Sequence, residues 1–170
     1  RYENGQKDWE RRFKDGVGDG VWIDWYKNGQ KFSEGPYKDG FKVGEWTFWH
    51  ENGQIKSQGS YNNGKREGKW SRWHSNGQMS SEGSYKDDWA DGKWTDWYDN
   101  GKMRSEGSFK DMKRDGKCTE WYQNGQIKEE ATYKDGKKDG RLTSWNRDGM
   151  VEKVETYEDG ELIEEISSPE

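Results

Sequence analysis

Few residues of this chain carry side chains that react, titrate near neutrality or hold metals. His50 and His74 stand 24 residues apart. Such a pair could serve acid–base chemistry, but each fills a slot held elsewhere by Tyr26, Tyr98 and Tyr122, so one aromatic ring has replaced another. The one cysteine, Cys118, excludes a disulfide within the chain and falls in a slot otherwise held by tryptophan, which predicts a packed thiol. Aspartate-glycine stretches such as Asp135 to Gly140 offer oxygen ligands in turns, as calcium sites do. They lack the ordered ligand positions and the closing bidentate glutamate of an EF-hand. The sequence contains no phosphate-binding glycine loop, nucleophile elbow or metal-ligand cluster. A formal net charge of −5 leaves no basic surplus to neutralise phosphates, so nucleic acid is not expected as the main partner. These readings predict a chain that is not an enzyme and uses neither cofactor nor metal.

The chemistry that the sequence does favour is aromatic contact. Only 26% of the 170 residues are hydrophobic and 37% are charged, a mix that by itself would indicate disorder. Against it stand 12 Trp, 9 Tyr and 5 Phe, the large amphipathic rings that cores and interfaces use. The rings keep a fixed beat of 24 residues. One series is Trp25, Trp49, Trp73, Trp97, Trp121 and Trp145, and a second is Trp22, Trp46, Trp70 and Trp94, continued by Cys118 and Leu142. A third is Phe13, Tyr37, Tyr61, Tyr85, Phe109, Tyr133 and Tyr157. Asn4-Gly5, Asn28-Gly29, Asn52-Gly53, Asn76-Gly77, Asn100-Gly101, Asn124-Gly125 and Asp148-Gly149 recur at the same interval, as do the small residues Gly35, Gly59, Gly83, Gly107 and Ala131. A period in this range means one supersecondary unit stacked on copies of itself.

Asn-Gly between aromatic and β-favouring residues predicts a hairpin with a two-residue type I′ turn. In one repeat this gives a strand at about 45–51, the turn Asn52-Gly53 and a return strand at about 54–61. The linking stretch "YKDGKKDGR", Tyr133 to Arg141, is expected to be a wider loop. Frequent glycine and the lack of a 3.6-residue period argue against helix. The expected fold is therefore all-β: about seven hairpins over residues 1–170, forming one elongated, twisted antiparallel sheet in a single repeat domain. A two-residue turn pairs His50 with Ile55, Phe48 with Ser57 and Trp46 with Gly59, and puts Tyr61 on the same face. Gly59 is read as making room for the Trp46 ring. Thr47, Trp49, Lys56, Gln58 and Ser60 fall on the opposite face. A three-residue loop with a glycine bulge would exchange the two faces.

On this register Trp22, Trp46, Trp70, Trp94, Tyr37, Tyr61, Tyr85 and Tyr133 form a structural ladder. The Trp25 to Trp145 series, among polar neighbours, is a candidate recognition stripe; its plainer reading is a cross-strand stacking ladder. Lys14, Lys38, Lys86, Lys110 and Lys134 line up beside Asp15, Asp39, Asp87, Asp111 and Asp135, which reads as a solvating charge row, with an ion or lipid headgroup as the alternative. Residues 158–170 lose the Trp series, gain Leu162, Ile163 and Ile166 and turn acidic, as a cap that blunts a sheet edge would. Arg1 opens in mid-repeat without an initiating Met, so the chain is expected to be a fragment or a processed form. No segment reads as a signal peptide or membrane helix, and the compartment stays open.

The stretch "WHENGQIKSQGSYNNGKREGKW", residues 49–70, and its copies resemble the MORN-type repeat in its variant form, the form found in YwqK-family antitoxins. Departures are Asp88 and Met112 where a loop glycine is expected, and Cys118 and Leu142 in the second Trp series. The resemblance implies stacked hairpins that act as a binding or scaffolding surface and, through the family name, a toxin as the bound protein. The expected function is non-catalytic protein binding. The alternatives are a surface module that holds glycan or lipid headgroups through its tryptophans, and a structural protein that associates end to end.

Overall fold

A computed structural model describes residues 1–167; the last three residues of the expected C-terminal cap lie outside the described residues. Every regular element among the described residues is a β-strand. The chain divides into two compact units, Arg1–Trp89 and the residues from Ala90 onward.

The first unit holds β1 (Trp9–Glu10), β2 (Phe13–Lys14), β3 (Val17–Gly18), β4 (Gly20–Trp25), β5 (Lys31–Lys38), β6 (Phe41–Lys42), β7 (Gly44–Trp49), β8 (Ile55–Asn62), β9 (Lys65–Trp73) and β10 (Met79–Lys86). Its sheet runs in the order β1-β4-β5-β7-β8-β9-β10, with β6 against β5 and β2 and β3 paired separately. The second unit holds β11 (Trp89–Trp97) from its second residue on, β12 (Met103–Lys110), β13 (Lys113–Arg114), β14 (Gly116–Trp121), β15 (Ile127–Lys134), β16 (Lys137–Trp145), β17 (Val151–Glu158) and β18 (Glu161–Ser167). Its order is β11-β12-β14-β15-β16-β17-β18, with β13 against β12. Paired strands within each unit are antiparallel, and neither unit's sheet closes into a barrel. β18 pairs with β17, and all of its residues are exposed.

The two kinds of turn correct the sequence reading. Asn28-Gly29 is not a type I′ turn: Tyr26 N–H bonds to the Gln30 carbonyl at 2.8 Å, Gly29 N–H to the Tyr26 carbonyl at 3.0 Å, and only the glycine has positive φ. The loop is three residues long, a type I turn followed by a left-handed glycine. The hairpin at Asn52-Gly53 has the same bonds, so His50 faces Gln54 rather than Ile55. Asparagine avoids the strained region because its side chain has other work. Asn28 Oδ1 accepts the Gln30 N–H at 3.0 Å, while Nδ2 donates to the Glu51 carbonyl at 2.7 Å.

The longer loop does not exchange the faces. Trp49 pairs with Ile55 and Phe48 with Ser57, which leaves Lys56 as an extra residue in a bulge. This second irregularity cancels the first, and Trp46 pairs with Gly59 as the simpler hairpin predicts.

The stretch from Tyr133 to Arg141 is no wide loop. Asp135 (φ 50°) and Gly136 (φ 84°) form a two-residue type I′ turn between the paired Lys134 and Lys137, and Gly140 (φ 99°) sits where the register shifts. The Lys and Asp rows are thus the first two residues of tight turns, with aspartate in the left-handed position that it tolerates. Asp88 (φ 73°) and Met112 (φ 68°) occupy the left-handed position that glycine fills in the other copies. Asp88 is held there, its Oδ1 accepting both the backbone N–H and Nε–H of Arg66 at 2.9 Å, and these bonds lower its carboxyl pKa. Met112 is 59% exposed and, among the described residues, has no comparable anchor. Met112→Gly is therefore expected to raise the unfolding free energy by about 1 kcal/mol, read from urea denaturation, and Asp88→Gly to give no such gain.

Candidate recognition surface

The candidate surface starts from a row in which rings alternate with residues that have none. In the first unit it runs Trp22, Gly35, Trp46, Gly59, Trp70, from the pairing of each Trp with the glycine of the return strand. Trp46 and Trp70 are 1% and 3% exposed. Each indole lies over the glycine of the preceding hairpin: a Cβ on Gly35 would stand 2.3 Å from the Trp46 ring, and one on Gly59 2.3 Å from the Trp70 ring. The sequence reading placed the Trp46 ring over Gly59; the backbones pair there, but the ring crosses to the neighbouring repeat. Its Nε1–H donates to the Pro36 carbonyl, and that of Trp70 to the Ser60 carbonyl, each at 3.1 Å.

The tyrosines complete the ladder. Ring centroids follow one another from Trp22 to Tyr37 (3.8 Å), Trp46 (5.5 Å), Tyr61 (6.1 Å), Trp70 (5.1 Å) and Tyr85 (6.2 Å), mostly edge to face. Lys42 lies over Trp46, with its Nζ 4.2 Å from the ring centroid and 5.2 Å from that of Tyr61. Desolvation lowers the Lys42 pKa, and the Asp24 carboxylate partly offsets it. Desolvation likewise raises the Tyr61 phenol. Equivalent cations cover Tyr85 (Arg66), Tyr133 (Arg114) and Tyr157 (Lys138). In the second unit the ring row becomes Trp94, Gly107, Cys118, Ala131, Leu142. Burial raises the Cys118 thiol pKa.

Trp25, Trp49, Trp73, Trp97, Trp121 and Trp145 are all half-buried. Among the described residues, Trp25, Trp49, Trp73, Trp121 and Trp145 pair with no other aromatic ring, so stacking does not account for them. Lysines cover two of them: Lys7 Nζ is 4.6 Å from the Trp25 centroid and Lys31 Nζ 5.6 Å from that of Trp49. The carbonyls of the series have a separate job. Tyr2, Tyr26, Tyr98 and Tyr122 donate their hydroxyls to the carbonyls of Trp25, Trp49, Trp121 and Trp145 at 2.6–2.9 Å. His50 Nε2 reaches the Trp73 carbonyl at 2.9 Å, so the ring carries its proton there. His50 therefore serves as a clasp between repeats in the place of a tyrosine.

Several residues of the surface escaped the periodic reading. Phe48 packs between Trp46 and Trp70, with centroids at 5.8 and 6.4 Å, and Phe32 lies 6.4 Å from Phe48. With Lys56, Tyr61, Arg66 and Arg72 they line a depression of about 310 Å³. Their slots hold Lys56, Ser80 and Arg104 in place of Phe32, and Asp24, Arg72, Asp96 and Glu120 in place of Phe48. A search for repeated residues passes over them; their departure from the repeat is the signal.

Two units of stacked antiparallel hairpins, bonded from one repeat to the next, make this a tandem-repeat β protein. The MORN repeat variant pattern matches residues 18–39, 42–63, 66–87, 90–111 and 114–135, more than half of the chain, and the chain belongs to that family. Repeats of this family are generally non-catalytic modules that bind proteins or membranes. Comparison with curated proteins gives no match.

The ring-over-glycine contact yields a direct test. Gly59→Ala is expected to destabilise the chain by roughly 1–3 kcal/mol in denaturant unfolding, because the rigid Trp70 ring must shift. Gly107→Ala, which meets the rotatable Cys118 Sγ, is expected to cost clearly less.

Proposed function

We propose that the chain is a non-catalytic protein-recognition module whose contact surface is the aromatic and cationic depression of the first unit, built by Phe32, Phe48, Tyr61 and Trp70 with Lys56, Arg66 and Arg72. The observation that carries this reading is a floor of rings fixed by mutual packing and rimmed by cations. Tryptophan, tyrosine and arginine in packed depressions are the residues on which interface energy concentrates. Arg66 is paired with Asp88, so the rim charge that favours a partner segment with carboxylates comes from Lys56 and from Arg72, which is held on the Tyr85 hydroxyl. The Trp25 series, with Lys7 and Lys31 over its first two rings, contributes a second and more polar face. Toxin neutralisation is one form of this function, and glycan binding through the Trp25 series is the competing one.

The test is capture from source-cell lysate by the immobilised chain, beside a Phe32→Ser/Lys56→Glu variant and a Trp49→Ser variant, each shown by circular dichroism to fold. Retention of a discrete protein that the first variant binds at least about thirtyfold more weakly is expected, with the Trp49→Ser variant much less affected. Loss confined to Trp49→Ser moves the site to the opposite face. Retention of polysaccharide, with no protein held by any bait, overturns the proposal.

A further inference from the structure

One charged group on the ring face of the first unit has rings for neighbours and no acceptor. Lys42 Nζ stands 4.2 Å from the ring centroid of Trp46, 5.1 Å from that of Phe48 and 5.2 Å from that of Tyr61. Rings attract a cation, but they offer no lone pair to the N–H donors of an ammonium. Among the described residues Lys42 makes no hydrogen bond and no ion pair. It is half-buried, and the loss of water lowers its pKa. The carboxylate that partly counters this, Asp24, is already engaged at both oxygens: Oδ1 accepts Arg11 Nη2 at 2.9 Å and Oδ2 accepts the Ser33 hydroxyl at 3.0 Å. Arg66, which fills the same slot one repeat on, does have a carboxylate, that of Asp88 at 2.9 Å. Lys42 is thus a partly desolvated cation that lacks the acceptor its counterpart has.

We propose that Lys42 is the ionic anchor of the first unit's depression, taking the carboxylate of an acidic partner segment whose large apolar side chain seats on the rings beside it. The inference rests on the reading of that depression as a protein contact surface. Phe48 and Tyr61, two of the three rings around Lys42, also line the depression, so a segment seated on them has the ammonium next to it. The depression, about 310 Å³, has room for a large side chain. A carboxylate that meets Lys42 forms a charge-assisted hydrogen bond with a donor whose hydration the rings have already thinned. Lys56, which likewise has no ion-pair partner among the described residues, adds a second positive charge at the rim. A basic segment would place like charges against Lys42 and Lys56, and a neutral one would cover the ammonium without giving it an acceptor. Lys42 therefore selects acidic segments over neutral ones of the same shape.

The test is calorimetric titration of the full chain with a blocked pentapeptide, a central phenylalanine flanked by glutamates, beside the same peptide with glutamines. Saturable binding of the glutamate peptide with a dissociation constant on the order of 1 mM or tighter is expected, with the glutamine peptide at least about tenfold weaker. Lys42→Met keeps an apolar stem over Trp46 and removes the charge. It is expected to fold by circular dichroism and to bind the glutamate peptide at least about tenfold more weakly than the natural chain does. On the natural chain, the glutamate peptide is expected to slow acetylation of Lys42, followed by mass spectrometry, more than the glutamine peptide does at equal occupancy; this measurement decides if Lys42→Met does not fold. Absence of saturable binding, equal binding of the two peptides, equal protection of Lys42 by both, or undiminished binding by folded Lys42→Met overturns the proposal. If Phe32→Ser/Lys56→Glu loses the peptide while Lys42→Met retains it, the depression stands as the contact surface and only the role of Lys42 falls. If neither variant weakens it, both readings fall.

Discussion

The contact on which the rest depends is a tryptophan ring lying flat across a glycine of the preceding hairpin. Trp46 belongs to the hairpin of β7 and β8, yet its ring covers Gly35 on β5, and its indole N–H bonds to the Pro36 carbonyl there. No side chain at Gly35 could share that space, since a Cβ would stand 2.3 Å from the ring. The consequence is energetic as well as steric. The hairpins of Trp46 and Trp70 each bury their largest ring in the preceding neighbour, so neither has a core of its own, and cohesion resides in the contacts between repeats. This is how a chain poor in aliphatic residues folds without an interior in the ordinary sense: Lys42 closes the top of the Trp46 cage, its alkyl stem serving as apolar cover while its charge sits over the rings.

The same logic extends to both ends of the hairpins, where backbone groups would otherwise lack partners. At one end Asn28 donates to the Glu51 carbonyl and Tyr26 to that of Trp49, each 23 residues on. At the other the backbone N–H of Gly64 bonds to the Lys42 carbonyl, and that of Gly136 to the Arg114 carbonyl, each 22 residues back. Turns that look like solvent-facing connectors are thus tied to the neighbouring repeat from both sides. Rings in the middle and clasps at each end fix the stacking distance at three levels.

The period, the all-β class, the hairpin unit and the two ring rows were legible because they repeat, and repetition averages out local ambiguity. Turn type was not. Asn-Gly suits a type I′ turn and a type I turn with a glycine bulge equally well. The choice rests on the Asn28 amide finding a carbonyl in the next repeat, which no local reading contains. The two Asp-Gly pairs near Tyr133 looked like one broad loop because a bulge glycine, Gly140, and a turn glycine, Gly136, share the same residue type. The register survived these errors only because the longer loop and the Lys56 bulge cancel. The candidate surface was the least legible part, since Phe32, Phe48 and Arg72 do not recur as types, and a period-based reading discards what varies.

That last point bears on how such an array acquires specificity. Beside the ring row runs a second row on the same face: Asp24, Phe48 and Arg72 in the first unit, Asp96, Glu120 and Ser144 in the second. Its members do different work with their surroundings. Phe48 joins the aromatic ladder, Arg72 donates to the Tyr85 hydroxyl at 2.8 Å, and Asp24 and Asp96 each accept a neighbouring serine hydroxyl. The backbone around them keeps the same pairing throughout. Because the Trp–Gly contacts and the clasps already determine the stacking, a half-buried position next to them can change from carboxylate to phenyl to guanidinium without moving a strand. Charge and shape along each unit's face are therefore set one repeat at a time, on a scaffold that does not respond to the choice, and this separation lets the same hairpin carry an aromatic, cationic depression in one unit and the carboxylates of Asp96 and Glu120 in the other.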